Sequence, residues 1–204
     1  ELEGRLIRIP GVTAAAITDT LPPAGDPRSV PYVALVGGGD ASAEGLQGLV
    51  KWRYVTPGYF RTMGIQIRRG RGFADSDRAA VQQTVLINET LAKRRFGNVN
   101  PVGQPLRLNG HDELIVGVVG DVRNDGLNAP PDPEFYVLRS DRVNAATQNQ
   151  RPPHGWRAAT ALIRSTAPAE ASIKMLQTAI WESEPTVAIV ASTLQQQLNP
   201  HFER

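Results

Sequence analysis

The two ends of the chain carry the same order of patterns, and this order limits the folds that the chain can adopt. In each end, apolar residues at helical spacing come first, a proline follows, and an apolar run then fits a strand. The N-terminal unit has a helix that Pro10 ends and a strand over 12–17. The C-terminal unit has a helix through Ile180 that Pro185 ends and a strand over 187–191. The pattern indicates either an internal repeat or two ordinary helix–strand connections.

Between its ends the chain has predicted short strands and two predicted helices whose boundaries are marked by capping residues or glycine. The predicted strands are 32–36, 49–55, 85–87, 106–108, 114–119, 136–138 and 160–164. Thr56 and Pro57 predict a capped helix start, and Gly64 predicts its end. Asn88 predicts the cap of a second helix, because Glu89 follows it and basic residues fill the last turn. Short helices among short strands predict an α+β fold.

The order of these elements predicts two subdomains. One is an αβ subdomain formed from both chain ends, over 1–69 and 134–204, and the other is a β-rich subdomain inserted over 70–133. A core can form, since 41% of the 204 residues are hydrophobic and 21% are charged.

Composition excludes several classes of function. The chain has no cysteine, which excludes disulfides, thiolate metal sites and thiol nucleophiles. Its formal net charge is only +2, so the charge does not favour a nucleic-acid partner. No stretch reaches the ~20 apolar residues that cross a bilayer. Because the chain begins at Glu1 without a methionine, we expect an excised piece of a longer protein.

The best single candidate for chemistry is Asp121, which follows a predicted strand through Gly120. Carboxylates at such positions can hold a metal ion or a ribose, but the residues at 124–126, Asn-Asp-Gly, favour an Asx-type turn instead. Asp75 and Asp77 could join Asp121 in a carboxylate set only if the fold brought them together. We therefore expect structural roles for these carboxylates.

Histidines, serines and arginines show no catalytic or metal-binding pattern. The histidines lie far apart, in predicted loops or near the end, and lack the i, i+4 spacing of a helical zinc site; they are His111, His154 and His201. No serine stands in a nucleophile elbow. Arg68, Arg69 and Arg71 are expected on a solvated strand face, with Arg71 buried by pairing to Asp75 or Asp77. We predict no catalytic, cofactor-binding or metal-binding residue.

The segment YVTPGYFRTMGIQIRRGRGF, over 54–73, resembles the hallmark of the MacB-like periplasmic core domain, which precedes or separates FtsX-like permease membrane segments. Further matches follow in the family's order: VLINE at 85–89, NPVG at 100–103 and IVGVVGDV at 115–122. The first helix and its Pro-Gly-Val turn also resemble the start of the family's domain, so the resemblance covers essentially the whole chain. Within the family, the sequence looks most like the duplicated orphan permeases common in acidobacteria.

The residues that carry this resemblance are expected to be structural, as core positions, turns and caps. They are Pro57, Tyr59, Phe60, Met63, Gly64, Gly70, Arg71, Asn88, Glu89, Pro101, Gly103, Gly117, Gly120 and Asp121. Three of them, Tyr59, Phe60 and Met63, share a helical face that we expect in the core. GVVGDV lacks the lysine and the Ser or Thr of a phosphate-binding loop, so ATP is not expected here.

The resemblance implies a porter-like αβ subdomain with a β-rich insertion, facing the periplasm on an inner-membrane ABC-type permease. Membrane helices would then lie immediately before Glu1 and after Arg204. The domain would couple ATP-driven motion of those helices to a periplasmic substrate or partner, as in efflux, without catalysis. It would hold no cofactor, because ATP would bind a separate nucleotide-binding subunit. The resemblance leaves open a periplasmic adaptor and a dimer of the full-length protein.

Two other functions stay open at this point. A periplasmic module that binds a ligand or a lipoprotein would show an apolar cleft with convergent polar groups between the subdomains. A hydrolase or transferase would show a nucleophile, a base and an orienting group within hydrogen-bond reach. The sequence shows no nucleophile context that would support a hydrolase or transferase.

Overall fold

The computed structural model describes residues 2–22, 28–31, 49–80, 82–108, 111–126, 128–139 and 159–202. Its strands are β1 (Val12–Thr18), β2 (Arg28–Pro31), β3 (Leu49–Val55), β4 (Ile67–Gly70), β5 (Thr84–Asn88), β6 (Pro105–Leu108), β7 (His111–Val119), β8 (Glu134–Leu138) and β9 (Thr160–Ser165). Its helices are α1 (Leu2–Leu6), α2 (Tyr59–Met63), α3 (Glu89–Phe96), α4 (Ala169–Ser183) and α5 (Leu194–Phe202), with a 3-10 turn at Asp75–Ala79. The predicted α+β class is confirmed.

These strands all belong to a single mixed sheet, whose main path runs β4, β7, β5, β8, β3, β1, β9. Off this path, β2 pairs with β3 and β6 pairs with β7. The pairs β5–β7 and β3–β8 are parallel, and the other pairs are antiparallel. Strands from the predicted insertion over 70–133 thus share a sheet with strands from the rest of the chain. The division into two subdomains stays a prediction.

Hydrophobic side chains pack on both faces of this sheet, because neighbouring strand residues point to opposite faces. On one face, Ile87 and Ile115 pack with Leu91 of α3. On the other, Leu86 and Val116 pack in the cluster that contains the aromatic rings of α2. A third cluster joins α1 and α4 to β1, with Leu6, Ile9 and Ala15 buried at its centre.

The two predicted helix starts have different outcomes. The Asn88 cap of α3 is confirmed, since its Oδ1 accepts a hydrogen bond from the Leu91 N–H at 2.9 Å. The Thr56 cap is wrong: α2 begins at Tyr59, and the Thr56 hydroxyl accepts instead from the Ile17 N–H of β1 at 2.9 Å. The Thr56 hydroxyl oxygen was predicted to cap the helix. It accepts instead from a buried backbone N–H of the neighbouring strand.

The predicted strand over 187–191 is also wrong. This segment follows α4 without pairing to any strand that the structure describes, and α5 begins at Leu194. The C-terminal unit therefore lacks the strand that would complete a repeat of α1 and β1. The strand predicted over 32–36 lies outside the described residues.

Candidate functional site

An ion pair lies buried at the centre of the sheet. The parallel register of β3 and β8 places Arg53 opposite Tyr136 and Lys51 opposite Glu134. Arg53 and Glu134 therefore share a face, and the Arg53 Nε donates to Glu134 Oε1 at 2.5 Å. Arg53 is 1% exposed and Glu134 is 0% exposed. Such a pair is retained in a core only if its remaining polar atoms are also satisfied.

Three further side chains satisfy the remaining polar atoms of the ion pair. Arg53 donates from Nη2 to Asn124 Oδ1 at 2.6 Å and from Nη1 to the Tyr59 hydroxyl at 3.3 Å. Glu134 Oε2 accepts from the Tyr136 hydroxyl at 3.0 Å and from Asn124 Nδ2 at 3.1 Å. We call these five residues the buried polar network. It joins β3, β8, α2 and the loop between β7 and β8.

The electrostatics of this network favour a fixed arrangement over acid–base chemistry. Burial alone would lower the pKa of Arg53, but the neighbouring Tyr59 and Glu134 raise it above the ordinary value. Burial raises the pKa of Tyr59 to about 12, with Arg53 acting in the opposite direction. The pKa of the buried Tyr136 is also raised, first by burial and then by the charge of Glu134. Both hydroxyls therefore stay protonated near neutral pH.

A second polar contact fixes the loop between β7 and β8. Lys51 of β3 reaches over this loop, with its Nζ 2.6 Å from Asp125 Oδ1 and 2.8 Å from Asp132 Oδ2. The Lys51 side chain is 12% exposed. Burial lowers the pKa of Lys51, but hydrogen bonds to Asp125 and Asp132 outweigh this effect and raise it. The ammonium group therefore stays charged and binds the loop near its middle, at Asp125, and near its end, at Asp132.

The N terminus of α3 binds the same loop from the other side. Asn88 Oδ1 accepts from the Leu91 N–H and also from the Glu134 N–H, at 2.9 and 3.0 Å. Asp121 accepts from the Thr90 N–H and hydroxyl, both at 2.9 Å. A carboxylate is favoured there by the positive end of the helix dipole. The predicted motif residues Asn88 and Asp121 thus meet at one helix end.

This arrangement corrects the predicted turn after Asp121. An Asx-type turn would use the side chains of Asp121 and Asn124 on the local backbone. Instead, Asp121 bonds to Thr90, and Asn124 lies in the buried polar network with Arg53 and Glu134. Long-range partners replace the local ones, because the loop packs against the sheet and against α3.

The possible carboxylate set of Asp75, Asp77 and Asp121 does not form, as expected. Asp77 accepts two hydrogen bonds from Arg71, at 2.7 and 2.8 Å, and this contact lowers the pKa of Asp77. Asp75 accepts instead from Arg78 at 3.3 Å. The expected pairing of Arg71 is thus present, but the expected burial is wrong, since its side chain is 52% exposed. The residues that the structure describes contain no group of three or more acidic or histidine side chains that could hold a metal ion.

The aromatic residues of the family motif lie in the core. Tyr59 and Phe60 are buried, and Met63 is partly buried and packs against the same cluster. Phe60 contacts Tyr136 edge-to-face, with ring centroids 5.0 Å apart. Pro57 is half-buried in the turn before α2.

Two motif glycines allow β4 and β7 to approach closely. Gly70 and Gly117 are partners in this pair, and Gly70 has a φ of +69°. A Cβ on Gly70 would lie 2.3 Å from the Val116 oxygen, and one on Gly117 would lie 2.3 Å from the Arg71 oxygen. Any side chain at either position would therefore push the strands apart.

Other motif residues lie in turns, in the interior or at the surface. Pro101 is buried, and the Gly103 N–H donates to the Ile115 oxygen at 2.8 Å. The Gly120 N–H donates to the Gln66 oxygen at 2.9 Å. Glu89 is half-exposed and lies 3.3 Å from Arg68 Nε. The structural roles that the family resemblance implies for these residues stay predictions.

The histidines were predicted in loops or near the end of the chain; His201 lies near the end as predicted, whereas His111 does not lie in a loop. His111 begins β7 and His201 lies in α5, whereas His154 lies outside the described residues. Among the helices of the described ranges, none combines the length and the apolar character needed to cross a bilayer.

Sequence reasoning missed Arg53, Glu134 and Lys51. The signal was present in β3, where LVKWRYV places two basic residues at alternate positions of an otherwise apolar strand. Two charges on one face of a central strand require buried partners, but their positions in the sequence do not show which residues these are. Glu134 is 81 residues away from Arg53.

Parts of this sequence match two transporter proteins. The chain is 31% identical over 83 residues to the ABC transporter permease YknZ of Bacillus subtilis, a match that covers 41% of this chain and 20% of that protein. It is 31% identical over 69 residues to the macrolide export ATP-binding/permease protein MacB of Aggregatibacter actinomycetemcomitans, covering 34% of this chain and 11% of that protein. The chain thus matches a fifth or less of the length of these relatives.

Solved structures show the same fold. The periplasmic region of MacB from Actinobacillus actinomycetemcomitans superimposes with a TM-score of 0.64 at 15% identity, covering 97% of this chain and 81% of that one. The extracellular domain of YknZ from Gram-positive bacteria gives a TM-score of 0.56 at 14% identity, covering 91% and 83%. Residues 3–180 match the MacB-like periplasmic core domain. The sequence match and the shared fold agree with the motifs at 54–73 and beyond, and the chain belongs to the MacB-like periplasmic core domain family of ABC transporter permeases.

Proposed function

We propose that this domain acts as one rigid body that couples ATP-driven motion of membrane helices to a periplasmic substrate or partner. The observation that carries the proposal is the buried polar network at the centre of a single continuous sheet. A fully satisfied buried network resists shear between the elements it joins, because any displacement leaves a charge unpaired. Such a body transmits a displacement from one end of the sheet to the other.

The proposal includes the partners and the location of the complete protein. One relative is named as an export ATP-binding/permease protein. That name supports an ATP-binding partner. As part of the proposal, we place ATP on a separate nucleotide-binding subunit, with no cofactor in this domain, and we place the complete permease in the inner membrane. A periplasmic adaptor and a dimer of the full-length protein are further partners in this proposal.

The proposal also treats the domain as non-catalytic. The charged groups that the fold brings together, Arg53 and Glu134, are shielded from solvent and use their polar atoms on each other and on neighbouring side chains. A catalytic group needs access to a substrate. The family functions in transport, which supports the same conclusion.

Distances between spin labels test the rigid-body role in the full-length permease, assembled with its ATP-binding subunit in lipid nanodiscs. This domain has no cysteine, so Arg69→Cys and Lys174→Cys each introduce one label site on an exposed position. These sites lie on the edge strand β4 and on α4. We expect the distance between them to stay the same on addition of ATP and vanadate.

In the same sample, the distance from the label at position 69 to a label on a membrane helix should change. A change in the distance between positions 69 and 174 would contradict the rigid body. A distance to the membrane helix that ATP leaves unchanged would contradict coupling. The alternative function, a periplasmic module for a ligand or lipoprotein, predicts that a lipopeptide, rather than ATP, changes the distance within the domain.

A further inference from the structure

The loop between β7 and β8 contains a sequence that can rearrange without an enzyme. Asp125 is followed by Gly126, and the dipeptide Asp-Gly occurs once in the chain. A backbone N–H that follows an aspartate can attack the side-chain carboxyl carbon, and glycine hinders this attack least because it has no Cβ. The side chain of Asp125 is 60% exposed, so water reaches its carboxyl group.

The structure leaves room for this reaction at Gly126. The residue has a φ of +103°, and a Cβ placed on it would meet no atom of the described residues within 4 Å. Among those residues, no backbone oxygen accepts a hydrogen bond from its N–H, whereas its carbonyl oxygen accepts from the Ala129 N–H at 3.2 Å. The attacking nitrogen is therefore not held in a backbone hydrogen bond with any described residue.

Lys51 opposes the rearrangement while the domain is folded. Its Nζ lies 2.6 Å from Asp125 Oδ1 and 2.8 Å from Asp132 Oδ2. Attack requires the Asp125 carboxyl group to turn towards the Gly126 nitrogen, but a charge-assisted hydrogen bond holds it towards β3. Asp132 is a natural comparison within the same contact, because Pro133 follows it and has no N–H with which to attack.

We propose that Asp125 is a site of spontaneous isoaspartate formation and that Lys51 is the residue that restrains it. In the protonated form of the carboxyl group, the Gly126 nitrogen bonds to the side-chain carbon, the C–O bond breaks, and the hydroxyl leaves with the amide proton as water. Water then adds to the main-chain carbonyl carbon of the resulting succinimide and cleaves its bond to nitrogen. The backbone thereafter runs through the Asp125 side chain, with one added methylene and no net change in mass.

The rearrangement occurs next to the buried polar network. Asn124 directly precedes Asp125, and its Oδ1 accepts from Arg53 Nη2 at 2.6 Å. The product carries its carboxylate on Cα rather than at the end of the side chain, which moves it away from the Lys51 ammonium. Isoaspartate formation therefore weakens the contact that fixes the loop beside the network. This inference does not depend on the coupling role proposed above.

Peptide mapping of the aged chain tests the site. The purified chain is kept in neutral buffer for several weeks, and trypsin then releases residues 124–139 as one peptide, apart from the Asn-Gly sequence at 109–110. Chromatography separates the isomers of this peptide, and electron-transfer fragmentation locates the isoaspartate. We expect isoaspartate at position 125 and none at position 132. Isoaspartate at 125 that is no more abundant than at 132 would overturn the proposal.

Asp125→Glu is the matched control for this measurement. A glutamate keeps the carboxylate for Lys51, but its attack would have to close a larger ring. We expect no isomer at position 125 in this variant. An isomer signal equal to that of the parent would show that the signal does not come from the Asp-Gly sequence, and the proposal would fail.

The rate of isomer formation tests the restraint by Lys51. We expect Lys51→Met to raise the rate about two- to fivefold, the range that an ion pair with one exposed partner allows. Lys51→Arg keeps the positive charge and should hold the rate near that of the parent. A rate in Lys51→Met equal to that of the parent would overturn the restraint.

A variant that is destabilised elsewhere separates the restraint from a general loss of stability. Phe60→Ala removes a buried ring but leaves Lys51 and its contacts in place. We expect its rate of isomer formation to stay near that of the parent, with urea denaturation showing that each variant is folded under the conditions of ageing. A rate that rises as much in Phe60→Ala as in Lys51→Met would show that stability, rather than Lys51, controls the reaction.

Discussion

Arg53 and Glu134 show how a single buried charge depends on its neighbours. Each is shielded from water, and each has its polar atoms bound by protein groups. The attraction between the two charges offsets the free energy lost on removing them from water only while both are present. Stability at this site is therefore a property of the pair.

Removal of one partner should be more damaging than removal of both. We expect Arg53→Met to lower the free energy of unfolding by about 3–5 kcal/mol, because it leaves the Glu134 carboxylate buried without its cation. Adding Glu134→Leu should restore part of that loss. Urea denaturation measures both, with Arg69→Met on an exposed position as control. A double variant less stable than Arg53→Met would contradict this account.

The helical face of α2 that carries the family motif is expected to lie in the core, and a substitution at Phe60 tests this expectation. We expect Phe60→Ala to lower the free energy of unfolding by about 3–5 kcal/mol, because it leaves a cavity beside Tyr136 and Phe73. Thermal and urea denaturation measure the change, and Val99→Ala, on an exposed position, should have almost no effect. Near-parental stability of Phe60→Ala would point to a partner contact instead.

At the scale of elements, α3 is held mainly by its first turn. Asn88 and Asp121 bind different N–H groups of that turn, and they come from β5 and from the loop after β7. The helix has only eight residues, too few for stability by itself in water. Its position therefore depends on these two caps and on the packing of Leu91 against the sheet.

The Asp121 cap can be tested by its removal. We expect Asp121→Ala to cost about 0.5–2 kcal/mol of stability and to speed hydrogen exchange at the Thr90 amide, which loses its acceptor. Glu89→Gln is a matched control in the same turn, because its half-exposed pair with Arg68 contributes at most about 1 kcal/mol. Exchange at Thr90 that is equal in the two variants would show that Asp121 is not the cap.

Local sequence patterns predicted the elements whose partners lie nearby in the chain. The Asn88 cap acts on a residue three positions away, and the α2 aromatic face follows from helical spacing. Arg53 and Glu134 could not be paired in this way, because the sheet alone brings them together. The predicted strand over 187–191 failed for the same reason, since strand propensity does not supply a partner.

At the scale of the whole molecule, one buried acid links stability to pH. Glu113 of β7 is 3% exposed, and burial raises its pKa from 4.5 to about 8. Between these values the unfolded chain has lost the proton that the folded chain still holds. The folded state binds more protons over this range, so stability falls as the pH rises.

Glu113→Gln should remove this dependence, because the amide has a similar size and stays neutral. We expect the parent to lose stability steadily between pH 4.5 and about 8, and the variant to lose much less. Urea denaturation at intervals across that range measures both curves. Glu89→Gln, a change at an exposed carboxylate, should follow the parent. Parallel curves for the parent and Glu113→Gln would contradict the effect of burial.

The parallel pairing of β3 with β8 also dictates when the protein can fold during synthesis. β8 lies between β3 and β5, yet it is made about eighty residues after β3. A nascent chain that ends before Glu134 lacks the strand that joins the two halves of the sheet, and its Arg53 has no carboxylate to meet. The centre of the sheet therefore cannot form until β8 has been synthesised.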